Sequence, residues 1–298
     1  MDSTMMYSLF TLGGVAGVFA MILYFAAKRF HVEEDPRVAE VEAMLPGINC
    51  GACGFPGCTG LAEALVAAAE KKDISELYCP PGGADTMGTV AEYFGLTAPT
   101  SAATVAVLRC NGSYANSPRR AEYDGPSSCA VAHKLGTSGS ACTYSCLSEG
   151  DCVAACNFEA LYMDPATGLP VVIDENCTSC GACVTACPRD LFEIRRLGKG
   201  KKPRRVWIAC RNRDRGAVAR KNCSVACIGC GKCVRTCDTI VKAISMKDNL
   251  AYIDPDICIA CGKCVPECPT GAILATFPIK AKQEDSGEPV STGTENTH

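Results

Sequence analysis

Cys177-x2-Cys180-x2-Cys183-x3-Cys187-Pro188 and Cys258-x2-Cys261-x2-Cys264-x3-Cys268-Pro269 leave this chain little choice of fold. Each is the bacterial ferredoxin run. Three of its thiolates wrap one cubane, and the fourth reaches across to a neighbouring cluster. The runs belong to a longer repeat. Adding 81 to Cys129, Cys142, Cys146, Cys152, Cys156, Cys177, Cys180, Cys183 and Cys187 lands on Cys210, Cys223, Cys227, Cys233, Cys237, Cys258, Cys261, Cys264 and Cys268. The flanking text repeats too, VVIDENCTSCGACVTACP against AYIDPDICIACGKCVPECP. Two ferredoxin modules in tandem follow, each able to hold two clusters.

A [4Fe–4S] cubane needs four thiolates. In the second module one set is Cys227, Cys230, Cys233 and Cys268, and the other is Cys258, Cys261, Cys264 and Cys237. In the first module one set is Cys177, Cys180, Cys183 and Cys156. Its partner set lacks a ligand, because Glu149 stands where the repeat would put a counterpart of Cys230. The expectation is that Cys142 fills the gap beside Cys146, Cys152 and Cys187. A separate block, Cys50-Gly-Ala-Cys53-Gly-Phe-Pro-Gly-Cys58 followed by Cys79, supplies a fifth set of four. Its glycines let the backbone curl and aim N–H groups at sulfur. Cys110, Cys129, Cys210 and Cys223 remain. They read either as a sixth set or as buried thiols packed like small hydrophobes.

Two other readings of 24 cysteines compete with this one. A disulfide ladder is disfavoured because C-x-x-C-x-x-C holds its thiols too close in sequence for good bridges. Zinc sites use paired C-x-x-C units or histidines, and this chain has only His31, His133 and His298. Metal centres also explain how a chain with 6% aromatic residues can fold, since bound metal supplies folding energy. A net charge of −3 gives no nucleic-acid footprint.

Residues 5–27 contain no charge, and Lys28 and Arg29 follow at once. Such a length spans a bilayer, and the basic flank puts the C-terminal bulk in the cytoplasm with the amino terminus outside. A cleaved signal peptide would want a basic start and a shorter apolar run. The expected fold is therefore α+β: a single N-terminal transmembrane helix (1–30), a small helical [4Fe–4S] domain (31–97), dicluster ferredoxin-like modules at 98–200 and 201–277, and a disordered tail (278–298). Helices are predicted at Pro36–Leu45, Thr59–Lys72 and Asp85–Phe94. Strands are predicted at Val105–Leu108, Val171–Ile173 and Val206–Ile208. Arg195, Arg196, Lys199, Lys201, Lys202, Arg204 and Arg205 crowd the joint between the modules. They read as a loop that steers an acidic ferredoxin, meets anionic lipid, or is merely solvated.

Taken together, the apolar N-terminal segment, the LPGINCGACGFPGC block with its later CPPGG, and the ferredoxin region resemble the B subunit of the Rnf complex, the membrane-bound ferredoxin:NAD oxidoreductase that couples electron flow to ion transport. The resemblance covers nearly the whole chain. This chain departs from the shorter members in carrying two modules instead of one. The resemblance implies an electron-transfer subunit of an ion-translocating oxidoreductase, placed in the cell inner (cytoplasmic) membrane. The four-thiolate sets themselves give five [4Fe–4S] clusters, or six if the remaining cysteines form a set. The implied partners are membrane, flavin-bearing and NAD-binding subunits, soluble ferredoxin and membrane lipid. The sequence has no strand–GxGxxG–helix unit, so no NAD or flavin site is expected on this chain, and no acid, base or nucleophile. Two other functions fit parts of the sequence: a membrane-anchored polyferredoxin of a hydrogenase or other reductase, and a zinc-stabilised scaffold.

Overall fold

The computed structural model describes residues 3–29, 35–99, 104–136, 139–196 and 204–279. It begins with α1 (Ser3–Arg29). Among the described residues no helix is long and apolar enough to cross a membrane. This overturns the expected single N-terminal transmembrane helix.

Three helices form the next unit. α2 (Pro36–Met44) starts with Asp35 as N-cap, whose carboxylate accepts from the Arg37 N–H at 2.9 Å, with proline in the first turn. α3 (Cys58–Glu70) and α4 (Gly83–Phe94) follow, and Gly95 stops α4 in the left-handed conformation. Val41, Leu61, Leu65, Met87 and Val90 interlock as their shared core, each 1% exposed or less. The packed core includes Cys58 and Cys79, so the apolar contacts that fold this unit also hold two of its thiols in place.

The rest is the same small motif built twice. The first copy comprises β1 (Thr104–Leu108), α5 (Cys129–Lys134), α6 (Asp151–Ala154), β2 (Leu161–Asp164), β3 (Leu169–Val172), α7 (Ala182–Ala186) and β4 (Phe192–Arg196). The second comprises β5 (Val206–Ile208), α8 (Gly216–Asn222), α9 (Lys232–Asp238), β6 (Ile244–Lys247), β7 (Leu250–Ile253) and β8 (Ile273–Ala275). In each, the outer strands pair antiparallel and the inner strands form a hairpin: β1 with β4 and β2 with β3, then β5 with β8 and β6 with β7. The backbone repeats at the same offset as the cysteines. Ser179, Gly181 and Gly150 have positive φ, and so do Ala260, Gly262 and Gly231.

The copies are joined by polar contacts where the sequence suggested a solvated loop. Arg195 and Arg205 are buried, at 3% and 6% exposure. Arg195 donates to Ile253 O at 2.6 Å and to Val206 O at 3.3 Å, and it pairs with Glu193 at 3.3 Å. Arg109 and Arg195 both lie over the Tyr252 ring, and the Tyr252 hydroxyl donates to Glu193 at 2.7 Å. Arg205 reaches Asp174 at 2.6 Å. These arginines tie strands together; they are not part of a free basic surface. Arg196, paired with Asp256 at 3.1 Å, is exposed in the manner expected. Trp207 Nε1 donates to Leu108 O at 2.9 Å, across the same joint. Lys199, Lys201 and Lys202 lie outside the described residues, as does the tail from residue 280.

Candidate iron–sulfur sites

All 24 cysteines fall among the described residues and none is disulfide-bonded. In the tandem copies they surround four cavities, each lined by four thiols. In the second copy one cavity has Cys227, Cys230, Cys233 and Cys268, and the other has Cys237, Cys258, Cys261 and Cys264. In the first copy one cavity has Cys156, Cys177, Cys180 and Cys183. Thus Cys237 and Cys268 each cross to the other run's cavity, and Cys156 crosses in the same way.

The fourth cavity differs from the expectation. Its thiols are Cys129, Cys146, Cys152 and Cys187. Cys142 does not line it. The N-terminal end of α5 carries Cys129 there, held by the Asp151 carboxylate, which accepts from Ser128 Oγ at 3.1 Å and from the Ala130 N–H at 3.0 Å. Glu149 accepts from Ser127 Oγ at 3.2 Å, so the residue that stands in place of a cysteine helps fix the segment that brings another.

Burial sets the chemistry of these thiols. Loss of hydration raises Cys146, Cys152, Cys183 and Cys264 to about 12, and neighbouring sulfurs add to the rise. Those neighbours also define adjacency. Cys183 lies in the field of Cys152, and Cys264 in that of Cys233, so the two cavities of each copy are side by side. Backbone N–H groups point at sulfur: Ala106 at Cys177 (3.5 Å), Leu191 at Cys187 (3.4 Å), Ala243 at Cys237 (3.2 Å) and Ala260 at Cys258 (3.4 Å).

The helical unit has its own set. Burial raises the Cys79 thiol, and Cys53, Cys58 and Cys50 are the cysteines near it. Asn49 Oδ1 accepts from the Cys58 N–H at 2.7 Å. Gly57, at φ +112, has no room for a Cβ, which would stand 2.8 Å from that oxygen.

The donor sets fit iron–sulfur cubanes. Each cavity offers four sulfurs and a largely apolar wall. Beside Cys177 and Cys180, Thr178 Oγ1 and Ser179 Oγ are buried without a hydrogen-bond partner; hydroxyls there have sulfur acceptors once a cluster is bound. A single zinc ion would draw its sulfurs to about 3.8 Å apart, from 2.3 Å bonds in a tetrahedron. Among the described residues no three His, Cys, Asp or Glu side chains converge to hold one ion. A cubane spaces its ligands more widely.

Residues 45–75 match the FeS family model, described as an Fe-S cluster, and residues 140–191 and 226–272 match the 4Fe-4S dicluster domain. The chain is 41% identical over 247 residues to the B subunit of the Na(+)-translocating ferredoxin:NAD(+) oxidoreductase complex of Acetobacterium woodii, covering 82% of this chain and 71% of that one. This chain belongs to the family of B subunits of ion-translocating oxidoreductase complexes. The B subunit of the ion-translocating oxidoreductase complex of Methanosarcina acetivorans is 37% identical over 86% of this chain and 92% of its own. That of the proton-translocating ferredoxin:NAD(+) oxidoreductase complex of Clostridium ljungdahlii is 37% identical over 87% and 88%. Membership makes this an electron-transfer component of a multi-subunit, membrane-associated complex, carrying several [4Fe–4S] clusters.

Sequence reasoning grouped Cys129 with the leftover thiols and put Cys142 in this set, whereas the cavity has Cys129. The repeat relates Cys129 to Cys210 and Cys142 to Cys223, so both cysteines look alike by spacing. Only the fold of α5 separates them.

Proposed function

We propose that this protein accepts electrons from reduced ferredoxin and passes them toward flavin- and NAD-bearing subunits of its complex. The observation that carries the reading is the fourfold recurrence of a cavity lined by four thiols, arranged as two adjacent pairs. The ligand sets proposed are Cys50, Cys53, Cys58 and Cys79; Cys129, Cys146, Cys152 and Cys187; Cys156, Cys177, Cys180 and Cys183; Cys227, Cys230, Cys233 and Cys268; and Cys237, Cys258, Cys261 and Cys264. When bound, [4Fe–4S] clusters supply reversible one-electron chemistry. The chain's own residues hold the sites in fixed relation, exclude water and direct N–H groups at sulfur. Cys50, Cys230 and Cys261 are exposed, so these sets come nearest to the surface, where a soluble partner has access. Free thiols in such number favour the reducing, cytoplasmic face of the membrane, where anionic lipid is a further partner.

The test adds reduced ferredoxin to the intact protein, prepared anaerobically, and follows the bleaching of its visible absorption. The five sets predict about twenty irons by the four-iron count. A colourless, iron-free preparation, or a brown one that ferredoxin does not bleach, sinks the proposal.

A further inference from the structure

The four cavities leave a break between the thiol sites of the two copies, and four cysteines without a place. Cys110, Cys142, Cys210 and Cys223 are each buried. They are also gathered. Cys110 lies near Cys142 and Cys223, Cys223 near Cys142 and Cys210, and Cys210 near Cys110. A Cβ built on Gly112 would lie 3.5 Å from Cys110 Sγ and 3.8 Å from Cys223 Sγ, so these two sulfurs flank one point of backbone. Asn212, itself 1% exposed, donates to Cys142 Sγ at 3.4 Å. Backbone N–H groups of Gly112 and Cys146 serve Cys110, that of Asn212 serves Cys210, and that of Val225 serves Cys223.

Resting on the reading that fourfold thiol sets here hold cubanes, we propose that Cys110, Cys142, Cys210 and Cys223 bind a sixth [4Fe–4S] cluster at the junction of the two ferredoxin-like copies. Two ligands come from each copy. The repeat explains why. In the second copy Cys230 completes its cavity, so Cys210 is left over. In the first, Glu149 replaces that ligand, Cys129 moves in, and Cys142 is released. The set differs from the leftover group read off the sequence by this one exchange, Cys142 for Cys129.

The surroundings are built for the site. The segment carrying Cys223 is clamped to the first copy: Ser117 Oγ donates to Asn222 O at 2.9 Å, and the Ser224 N–H donates to Asn116 O at 2.8 Å. The Arg189 guanidinium lies near Cys142, Cys146, Cys110 and Cys187 and donates to Ser145 O. It therefore supplies positive charge between the junction set and the cavity of Cys129. The junction set is also next to both copies. Cys146 lies in the field of Cys110, and the Cys227 N–H donates to Cys210 Sγ at 3.3 Å. The order of sites is then the Cys156 cavity, the Cys129 cavity, the junction, the Cys230 cavity and the Cys237 cavity, without a gap.

Iron and zinc are counted in the intact anaerobic protein, and cluster-resolved EPR is recorded on it and on Cys142→Ser, Cys223→Ser and Cys129→Ser. About twenty-four irons by the four-iron count are expected, with loss of about four, and of the same signal, from Cys142→Ser and Cys223→Ser. Cys129→Ser is expected to lose a different signal. About twenty irons in the intact chain, or one zinc beside about twenty irons, overturns the junction site and leaves the five-set reading standing. Near-absence of iron overturns both. Should either serine variant lose all its iron through misfolding, the count on the intact chain still decides. Loss of one shared signal in Cys129→Ser and Cys142→Ser returns Cys142 to the neighbouring cavity and overturns the proposal.

Discussion

Replacing Arg195 with methionine tests whether the joint between the two copies is a buried structural contact. Methionine keeps most of the apolar stem but removes the donors to Ile253 O and Val206 O. Each buried carbonyl left without its donor costs about 1–3 kcal/mol. Glu193 is not orphaned, since Arg109 stays at 3.4 Å and Tyr252 at 2.7 Å. Two carbonyls at mid-range, less some rehydration, give about 3 kcal/mol. The control is the next residue. Arg196 points to the other face of β4 and pairs with Asp256 while 60% exposed, so Arg196→Met should cost under about 1 kcal/mol. With a urea slope of about 2 kcal/mol/M, the first change lowers the unfolding midpoint by about 1.5 M and the second by less than about 0.5 M. The assay is anaerobic urea unfolding of the iron-loaded protein, followed by circular dichroism. Equal midpoints for the two variants would refute the structural role and return Arg195 to the solvated surface.

Gly262 sits at φ +75, and an added Cβ would meet Ile279 Cδ1 at 2.7 Å. Gly262→Ala should therefore release iron to a chelator faster than Gly271→Ala, where φ is +69 but the space is open; the shared backbone cost is about 1–2 kcal/mol, and equal release rates would remove the crowding argument. The metal-free chain should lose stability with alkali. Burial raises Cys146, Cys152, Cys183 and Cys264 from 9.0 to about 12, so the folded state holds protons that the unfolded state gives up. Their contribution is intact below pH 9 and declines between pH 9 and 12, and a thermal midpoint that rises over that window would contradict the sign.

The legible parts of this protein are those written in local pattern. Asp35-Pro36 and Gly95 bound helices to within a residue or two, because caps and breakers act over a single turn. The crossing of Cys156, Cys237 and Cys268 follows from the ferredoxin spacing. β2, β4, β6, β7 and β8 are not legible, since strands of three to five residues interrupted by cysteine loops carry little alternation. Arg195 misleads for a related reason. Composition shows a basic run, whereas only the pairing of β4 with β1 and the approach of β7 reveal that one of its members faces inward. The choice between Cys129 and Cys142 is beyond spacing altogether. It depends on where Asp151 and Glu149 anchor the start of α5.

Trp207 is the chain's one tryptophan, and its indole bridges from β5 to Leu108 of the other copy. Ile208 beside it lines the cavity of Cys230, so the indole stands close to a strongly absorbing chromophore whenever iron is bound. The protein thus carries an intrinsic optical gauge. Emission should be quenched in the loaded protein, brighten as iron leaves, and shift to the red if the copies part and water reaches the ring, so that metal loss and module separation can be followed as two distinct signals from one side chain.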